Sequence, residues 1–204
     1  MTDFYEKNPL QISDWRDFRS KSAQSIGDAE TMSGLRILLS EAEIAARVET
    51  LAAEIASTLP ADFIIVGLLK GAFVFVADLA RALDRAGAQP EIEFMRLSSY
   101  GLAAVSRGET RLLADAPSDV EGRNILLIDD IVDTGRSIAF AADSLRQRKI
   151  GGLWTCALLD KPQRREVEAP INFVGFRIED VFVAGYGIDH AEKHRHLPYI
   201  GVVD

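Results

Sequence analysis

Residues 125–137 read ILLIDDIVDTGRS. Asn124 leads into four branched apolar residues, Ile125 to Ile128, the pattern of a strand buried on both faces of a parallel sheet. Asp129 and Asp130 then stand side by side, Asp133 follows, and Thr134, Gly135, Arg136 and Ser137 lead into an apolar helical pattern. Like charges at a strand end repel one another and resist burial, so a partner must compensate them. In open α/β sheets ligands bind beyond the carboxyl ends of strands, next to helix N-termini. A turn of small residues opening a helix offers backbone amides and two hydroxyls, Thr134 and Ser137, to an anion. Asp129 and Asp130 cannot hold that anion, but they can accept from vicinal sugar hydroxyls or face a magnesium ion. Phosphate donors beside diol acceptors describe a site for a ribose 5-phosphate.

The neighbouring stretches set this unit in a sheet. GLRILL (34–39) reads as a short strand, and Ser40 with Glu43 has capping-box spacing before a helix over 41–58. Ile44, Val48, Leu51 and Ile55 form its apolar face, and Pro60 ends it. Phe63–Val66 reads as a second buried strand, Gly67 to Gly71 as a loop, and 72–86 as a helix. EIEFMRL (91–97) alternates like a strand, 98–111 has no period and reads as a mobile loop, and LLADAP (112–117) suits a strand and turn. A helix over 135–148, a strand over 153–159, a loop containing KPQRR (161–165) and a strand pair near 172–185 follow. Strand–loop–helix units recur, so the expected fold is α/β: a doubly wound, mostly parallel sheet flanked by helices. One domain over 34–204 is expected, with a small hood from the chain ends. Residues 1–33 read as an N-terminal extension docked through Trp15 and Phe18.

Composition narrows the partners. The 204 residues carry a formal net charge of −8, which argues against a general nucleic-acid or membrane surface. No apolar run approaches the roughly 20 residues needed to span a bilayer. The first residues lack a basic-then-apolar signal pattern. The single cysteine, Cys156, sits in LWTCALL (153–159) and reads as a small core residue in a reducing compartment. A cytoplasmic protein is expected. His190, His194 and His196 lie in a polar stretch with poor ligand spacing and read as solvated histidines. Neither a Walker loop nor a G-x-G-x-x-G fingerprint occurs.

ILLIDDIVDTGRS resembles the phosphoribosyl-diphosphate motif of the type I phosphoribosyltransferases. VGLLKGAFVF (66–75) resembles that family's diphosphate loop, and RLSSYG (96–101) the start of its flexible catalytic loop in the hypoxanthine and hypoxanthine-guanine branch. LLDKP (158–162) and VFVAGYGIDHAEKHRHLPYIGVV (181–203) resemble the purine lysine and C-terminal hood of that branch. The resemblance implies the type I fold and transfer of a 5-phosphoribosyl group to N9 of a 6-oxopurine, with Mg²⁺ as cofactor. Its substrates would be phosphoribosyl diphosphate and hypoxanthine, with guanine also expected, in a homodimer or homotetramer. A xanthine- or guanine-preferring enzyme, or a nucleotide-sensing regulator of the same fold, are the alternatives.

Carried over residue by residue, the resemblance implies that Asp129 and Asp130 hold the ribose hydroxyls. Asp133 becomes the general base beside purine N7, and Asp133, Thr134, Gly135, Arg136 and Ser137 cradle the 5-phosphate. Leu69, Lys70, Gly71 and Arg195 serve the diphosphate, with a non-proline cis peptide before Lys70. Ser99 and Tyr100 close over the reacting centre. Lys161 donates to the C6 oxygen, Phe182 stacks on the purine and Val183 meets the ring edge. Asp189 lies at the purine and, with Asp129 and Asp130, faces the metal.

Overall fold

The computed structural model describes residues 35–100, 109–114 and 119–203. The chain divides into two units, Met1–Arg36 and Ile37–Asp204. The expected extension, 1–33, lies outside the described residues.

Strand β1 (Arg36–Leu39) leads into helix α1 (Glu41–Thr58) through the capping box read from the sequence. The Glu43 amide donates to Ser40 Oγ at 3.3 Å, and the Ser40 amide donates to Glu43 Oε2 at 2.8 Å. Ile44, Val48, Leu51, Ala52 and Ile55 form the buried face of α1. Strand β2 (Phe63–Leu69) is followed by α2 (Phe73–Arg85), β3 (Glu91–Tyr100) and β4 (Glu109–Ala114). Strand β5 (Asn124–Val132), α3 (Arg136–Arg146), β6 (Gly152–Asp160) and β7 (Phe173–Arg177) come next, then β8 (Val183–Ala184) and β9 (Ile200–Val202).

The main sheet has the order β4-β3-β2-β5-β6-β7. Its pairs β3–β2, β2–β5, β5–β6 and β6–β7 are parallel, and β4 is antiparallel at the edge. Alternate residues of the central strands serve opposite faces. Phe63, Ile65, Leu126, Ile128, Cys156 and Leu158 pack into one core with Leu51, Ile55, Phe75 and Leu79 from α1 and α2. Ile64, Val66, Leu68, Ile125, Leu127 and Ala157 pack into a second core with Ile138 and Leu145 of α3. Both faces are thus covered, which is why these strands read as unbroken apolar runs. A separate three-stranded sheet, β1-β9-β8, joins the early chain to the C-terminal segment as a hood.

Several boundaries differ from the sequence reading. Strand β2 runs through Gly67 to Leu69 instead of ending at Val66. Gly67 is a packing residue there: a β-carbon would fall 2.9 Å from Val76 and 3.0 Å from the Phe94 ring. Strand β5 continues to Val132 because β6 supplies partners as far as Val132–Asp160, so Asp129 and Asp130 belong to the strand. Segment 98–111 is not wholly a loop: Ser99 and Tyr100 pair with Thr110 and Glu109 in the β3–β4 ribbon, and only 101–108 lie outside the described residues. Helix α3 spans Arg136–Arg146, shorter at both ends than expected. The segments near 172–185 are not a pair, since β7 joins the main sheet and β8 the hood.

Phe75 is fully buried between α1, α2 and the sheet. Phe75→Ala is expected to lower unfolding stability by about 3–5 kcal/mol. A urea titration would show this as a lower midpoint at unchanged slope.

Candidate active site at the sheet switch point

From β2 the chain crosses to β3 on one side, and from β5 it crosses to β6 on the other. The reversal lies between β2 and β5, where an open sheet leaves a crevice. These two strands pair only from Phe63–Asn124 to Gly67–Ile128, while each stays paired to its outer neighbour further on. The loop after β2 and the acids of β5 therefore flank the opening.

The expected cis peptide joins Leu69 to Lys70. Gly71 lies against the Asp130 carboxylate, where a β-carbon would fall 1.8 Å from Asp130 Oδ2. Asp129 is buried, Asp130 half-buried, and the Asp130 amide donates to Asp129 Oδ1 at 3.0 Å. Burial, then the neighbouring Asp130 charge, pushes the Asp129 carboxyl well above the ordinary range. Burial also raises Asp130, and Arg195 pulls it the other way.

Beyond Val132 the chain turns into α3 with Gly135 at its cap. Gly135 has φ +84°, a left-handed conformation that favours glycine. No side chain caps this helix, although Thr134 Oγ1 lies 3.4 Å from the Arg136 amide. The first turn of α3 thus presents amides at the sheet's carboxyl end. Arg136 pairs with Glu166 at 2.7 Å, and Ser137 is half-buried. Asp133, at the start of the turn, accepts from Arg164 Nε at 3.0 Å.

Lys161 follows β6 directly and is only 5% exposed. Its Nζ donates to the Val181 carbonyl at 2.7 Å and lies 6.0 Å from the Phe182 ring centroid. Phe182 is 77% exposed, an unusual position for a large aromatic side chain. Val183, in contrast, is buried in β8. In the hood, Arg195 binds Asp189 Oδ1 at 2.6 Å and donates to the Gly187 carbonyl at 2.8 Å. Glu192 Oε2 lies 2.8 Å from Lys70 Nζ and 3.6 Å from Arg195 Nη2, and the Lys70 hydrogen bond lowers the Glu192 carboxyl. The hood and the β2 loop therefore meet through charge.

A family model described as the phosphoribosyl transferase domain matches residues 36–191. The chain belongs to the phosphoribosyltransferase family. Hypoxanthine phosphoribosyltransferase of Escherichia coli K12 is 41% identical over 172 residues, covering 83% of this chain and 95% of that protein. Hypoxanthine-guanine phosphoribosyltransferase of Bacillus subtilis 168 is 43% identical over 169 residues, covering 82% and 92%. Among solved structures, a hypoxanthine-guanine phosphoribosyltransferase of Bacillus anthracis superposes with TM-score 0.76 at 38% identity, covering 82% of this chain and 98% of its own. A hypoxanthine phosphoribosyltransferase of Staphylococcus aureus gives TM-score 0.78 at 35% identity, covering 86% and 97%.

This phosphoribosyltransferase brings Leu69 to Gly71, Asp129, Asp130 and Arg195 towards one crevice, with Asp133 to Ser137 on the β5–α3 side. Lys161 and Phe182 form a second cluster at the end of β6. Ser99 and Tyr100 are placed by backbone alone, in β3. The expected metal trio of Asp129, Asp130 and Asp189 does not assemble into a cage. Among the described residues no three His, Cys, Asp or Glu side chains come together, and Asp189 is engaged by Arg195. The acid-rich, all-oxygen donor set still fits Mg²⁺, which takes few protein ligands and completes its shell with water and substrate oxygens. The three histidines likewise form no metal group. Sequence reasoning missed Arg164, Arg165, Asp160 and Glu192. KPQRR showed a cationic loop, but nothing in it reveals which carboxylates those arginines meet.

Because the Asp129 carboxyl is raised in the fold, ionising it opposes folding. That penalty is absent at low pH, where folded and unfolded chains are both protonated. It grows as pH rises past the ordinary carboxylate range and levels off above the raised folded value. Asp129→Asn keeps an acceptor for the Asp130 amide, so in ligand-free protein without Mg²⁺ it is expected to raise Tm at neutral pH and to match wild type near pH 3. A lower Tm at neutral pH would contradict this.

Proposed function

We propose that this phosphoribosyltransferase moves the 5-phosphoribosyl group of phosphoribosyl diphosphate to N9 of hypoxanthine, and of guanine, in purine salvage. The observation that carries the reading is the buried Lys161 beneath the exposed Phe182 ring, at the same end of the sheet as the amide-lined turn before α3. An exposed aromatic face beside a buried cation suits a flat heterocycle bearing a carbonyl oxygen.

In this reading Phe182 stacks on the purine, the Val183 backbone meets its edge, and Lys161 Nζ donates to the 6-oxo oxygen. An amino group at C6 cannot accept that bond and sets its own N–H donors against the Lys161 ammonium, whose proton towards the base is then left without an acceptor, which selects against adenine. The turn Asp133–Ser137 cradles the 5-phosphate, and Asp129 and Asp130 accept from the ribose hydroxyls. Leu69, Lys70, Gly71 and Arg195 hold the diphosphate. As the C1–O bond to the diphosphate breaks and N9 bonds to C1, positive charge develops on the sugar as an oxocarbenium-like centre and negative charge on the departing diphosphate, which the Lys70 and Arg195 cations offset. Asp133 takes or holds the purine proton, with Arg164 its partner before the purine arrives. Ser99 and Tyr100 begin the segment that excludes water over the reacting centre. Asp129, Asp130 and Asp189 would hold Mg²⁺ together with substrate oxygens, and the ion would neutralise diphosphate charge. In this reading Asp189 also contributes to the purine site. The working protein is a homodimer or homotetramer in the cytoplasm, preceded by an accessory extension at 1–33.

Purified protein with phosphoribosyl diphosphate and Mg²⁺ is expected to convert hypoxanthine and guanine, read by ultraviolet absorbance. Conversion of adenine in preference to every oxopurine would overturn the assignment. Lys161→Ala is expected to lower kcat/KM for hypoxanthine about 100-fold, or about 2.7 kcal/mol. Asp133→Asn is expected to lower kcat roughly 100-fold or more with phosphoribosyl-diphosphate affinity retained. Equal loss of turnover and affinity would remove Asp133 from the role of base.

A further inference from the structure

Asp160 ends β6 and is 5% exposed, a buried carboxylate outside the roles assigned above. Two guanidinium groups face it: Arg165 Nη2 binds Oδ1, and Arg177 Nε lies 3.7 Å from Oδ2. Arg165 does more than neutralise this charge. Its Nη1 donates to the main-chain carbonyl of Asp133 at 3.0 Å. Its Cδ lies under Gly135, 2.9 Å from where a β-carbon would stand. The next two amides, of Glu166 and Val167, both donate to the Thr134 carbonyl at 3.0 and 3.2 Å. Segment 165–167 therefore holds the carbonyls of Asp133 and Thr134 from one side.

The geometry of the peptide unit gives this a consequence. In a trans peptide the C=O and the following N–H point in opposite directions. Fixing the Asp133 carbonyl on Arg165 turns the Thr134 amide away from Arg165. Fixing the Thr134 carbonyl on 166–167 turns the Gly135 amide away likewise. Those are two of the amides of the turn assigned to the 5-phosphate. A cationic donor on a carbonyl also polarises that peptide, which makes its N–H a stronger donor. The same anchor reaches the purine side, because the backbone of Lys161, next to Asp160, donates from its amide to the Val132 carbonyl at 3.0 Å.

We propose that the buried Asp160 and its half-buried partner Arg165 form a positioning device that aims and polarises the phosphate-binding amide of Thr134 and, through segment 165–167, aims that of Gly135. The proposal rests on the phosphate role assigned to that turn. Asp160 and Arg165 act through the turn's backbone, and the pair spaces the phosphate cradle from Lys161.

The test compares inosine 5′-monophosphate (IMP) with inosine, which lacks the phosphate, by calorimetry on the full-length protein with Mg²⁺. Arg165→Met is expected to weaken IMP at least tenfold and to leave inosine within twofold. Arg165→Lys, which keeps the cation but not both donors, is expected to recover part of the loss. In steady state the KM for phosphoribosyl diphosphate should rise while the KM for hypoxanthine holds. Should Arg165→Met fail to fold with the buried Asp160 left only the longer Arg177 contact, the double variant Asp160→Asn/Arg165→Met removes the buried charge and is measured instead. Equal loss for IMP and inosine, or no loss for either, would overturn the proposal. Wild-type protein that binds IMP no more tightly than inosine would sink the phosphate role of the turn itself, and the positioning proposal with it.

Discussion

Everything at this site follows from the parting of β2 and β5 beyond Gly67 and Ile128. Up to that point β5 has parallel partners on both sides, and its residues from Ile125 to Ile128 are apolar. Past it, β6 alone continues the ladder, and the first residues on the open side are Asp129 and Asp130. Two adjacent carboxylates in a partly buried crevice destabilise the empty fold, and the raised carboxyls of both express that tension. Gly71 brings the opposite wall so close to Asp130 that no side chain fits between them. The crevice is thus narrow and acidic at this point, and the proposed diol and hard cation would offset its two carboxylates.

The remaining charges of the site differ in how firmly they are held. Lys70 with Glu192, Arg136 with Glu166 and Asp133 with Arg164 are exposed pairs, which contribute little to stability and are screened by salt. A polyanionic substrate can exchange such partners at small cost. Asp160 with Arg165 is of another kind: the carboxylate is buried, and removing Arg165 would leave it only the longer contact with Arg177. The firm pair holds backbone, and the loose pairs hold side chains proposed to meet substrate, which can therefore exchange partners without disturbing the scaffold.

Much of this was legible in the chain. The capping box of Ser40 and Glu43, the apolar face of α1 and the apolar starts of β2, β5 and β6 are local patterns that appear as read, though β2 and β5 run further than expected. Gly67 misled because a glycine in an apolar run signals a break, whereas here it admits the Phe94 ring of the adjacent strand. The end of β5 was misplaced for a similar reason. Its length is set by β6, whose partners outlast those of β2. Asp129, Asp130 and Asp133 announced a site because their charge conflicts with the strand before them. Asp160 and Arg165 announced nothing, since a lone acid and a basic loop acquire meaning only when folding brings Arg165 beneath the Asp133 carbonyl.

The net charge of −8 raises a last physical question, because the proposed donor substrate is itself a polyanion. At physiological salt, exposed charges more than about 8 Å apart are largely screened, so the distant acidic surface matters little. What acts is the local set: the amides of the α3 turn, Lys70, Arg136 and Arg195. Backbone amides carry no counter-charge to be matched when the site is empty, and their direction is fixed by the fold. In the proposed reading, the phosphate end thus relies on a turn aimed from below, while the cations proposed for the diphosphate, Lys70 and Arg195, are paired with Glu192 and Asp189. An acidic protein can bind an acidic ligand when its donors are dipoles it has already oriented.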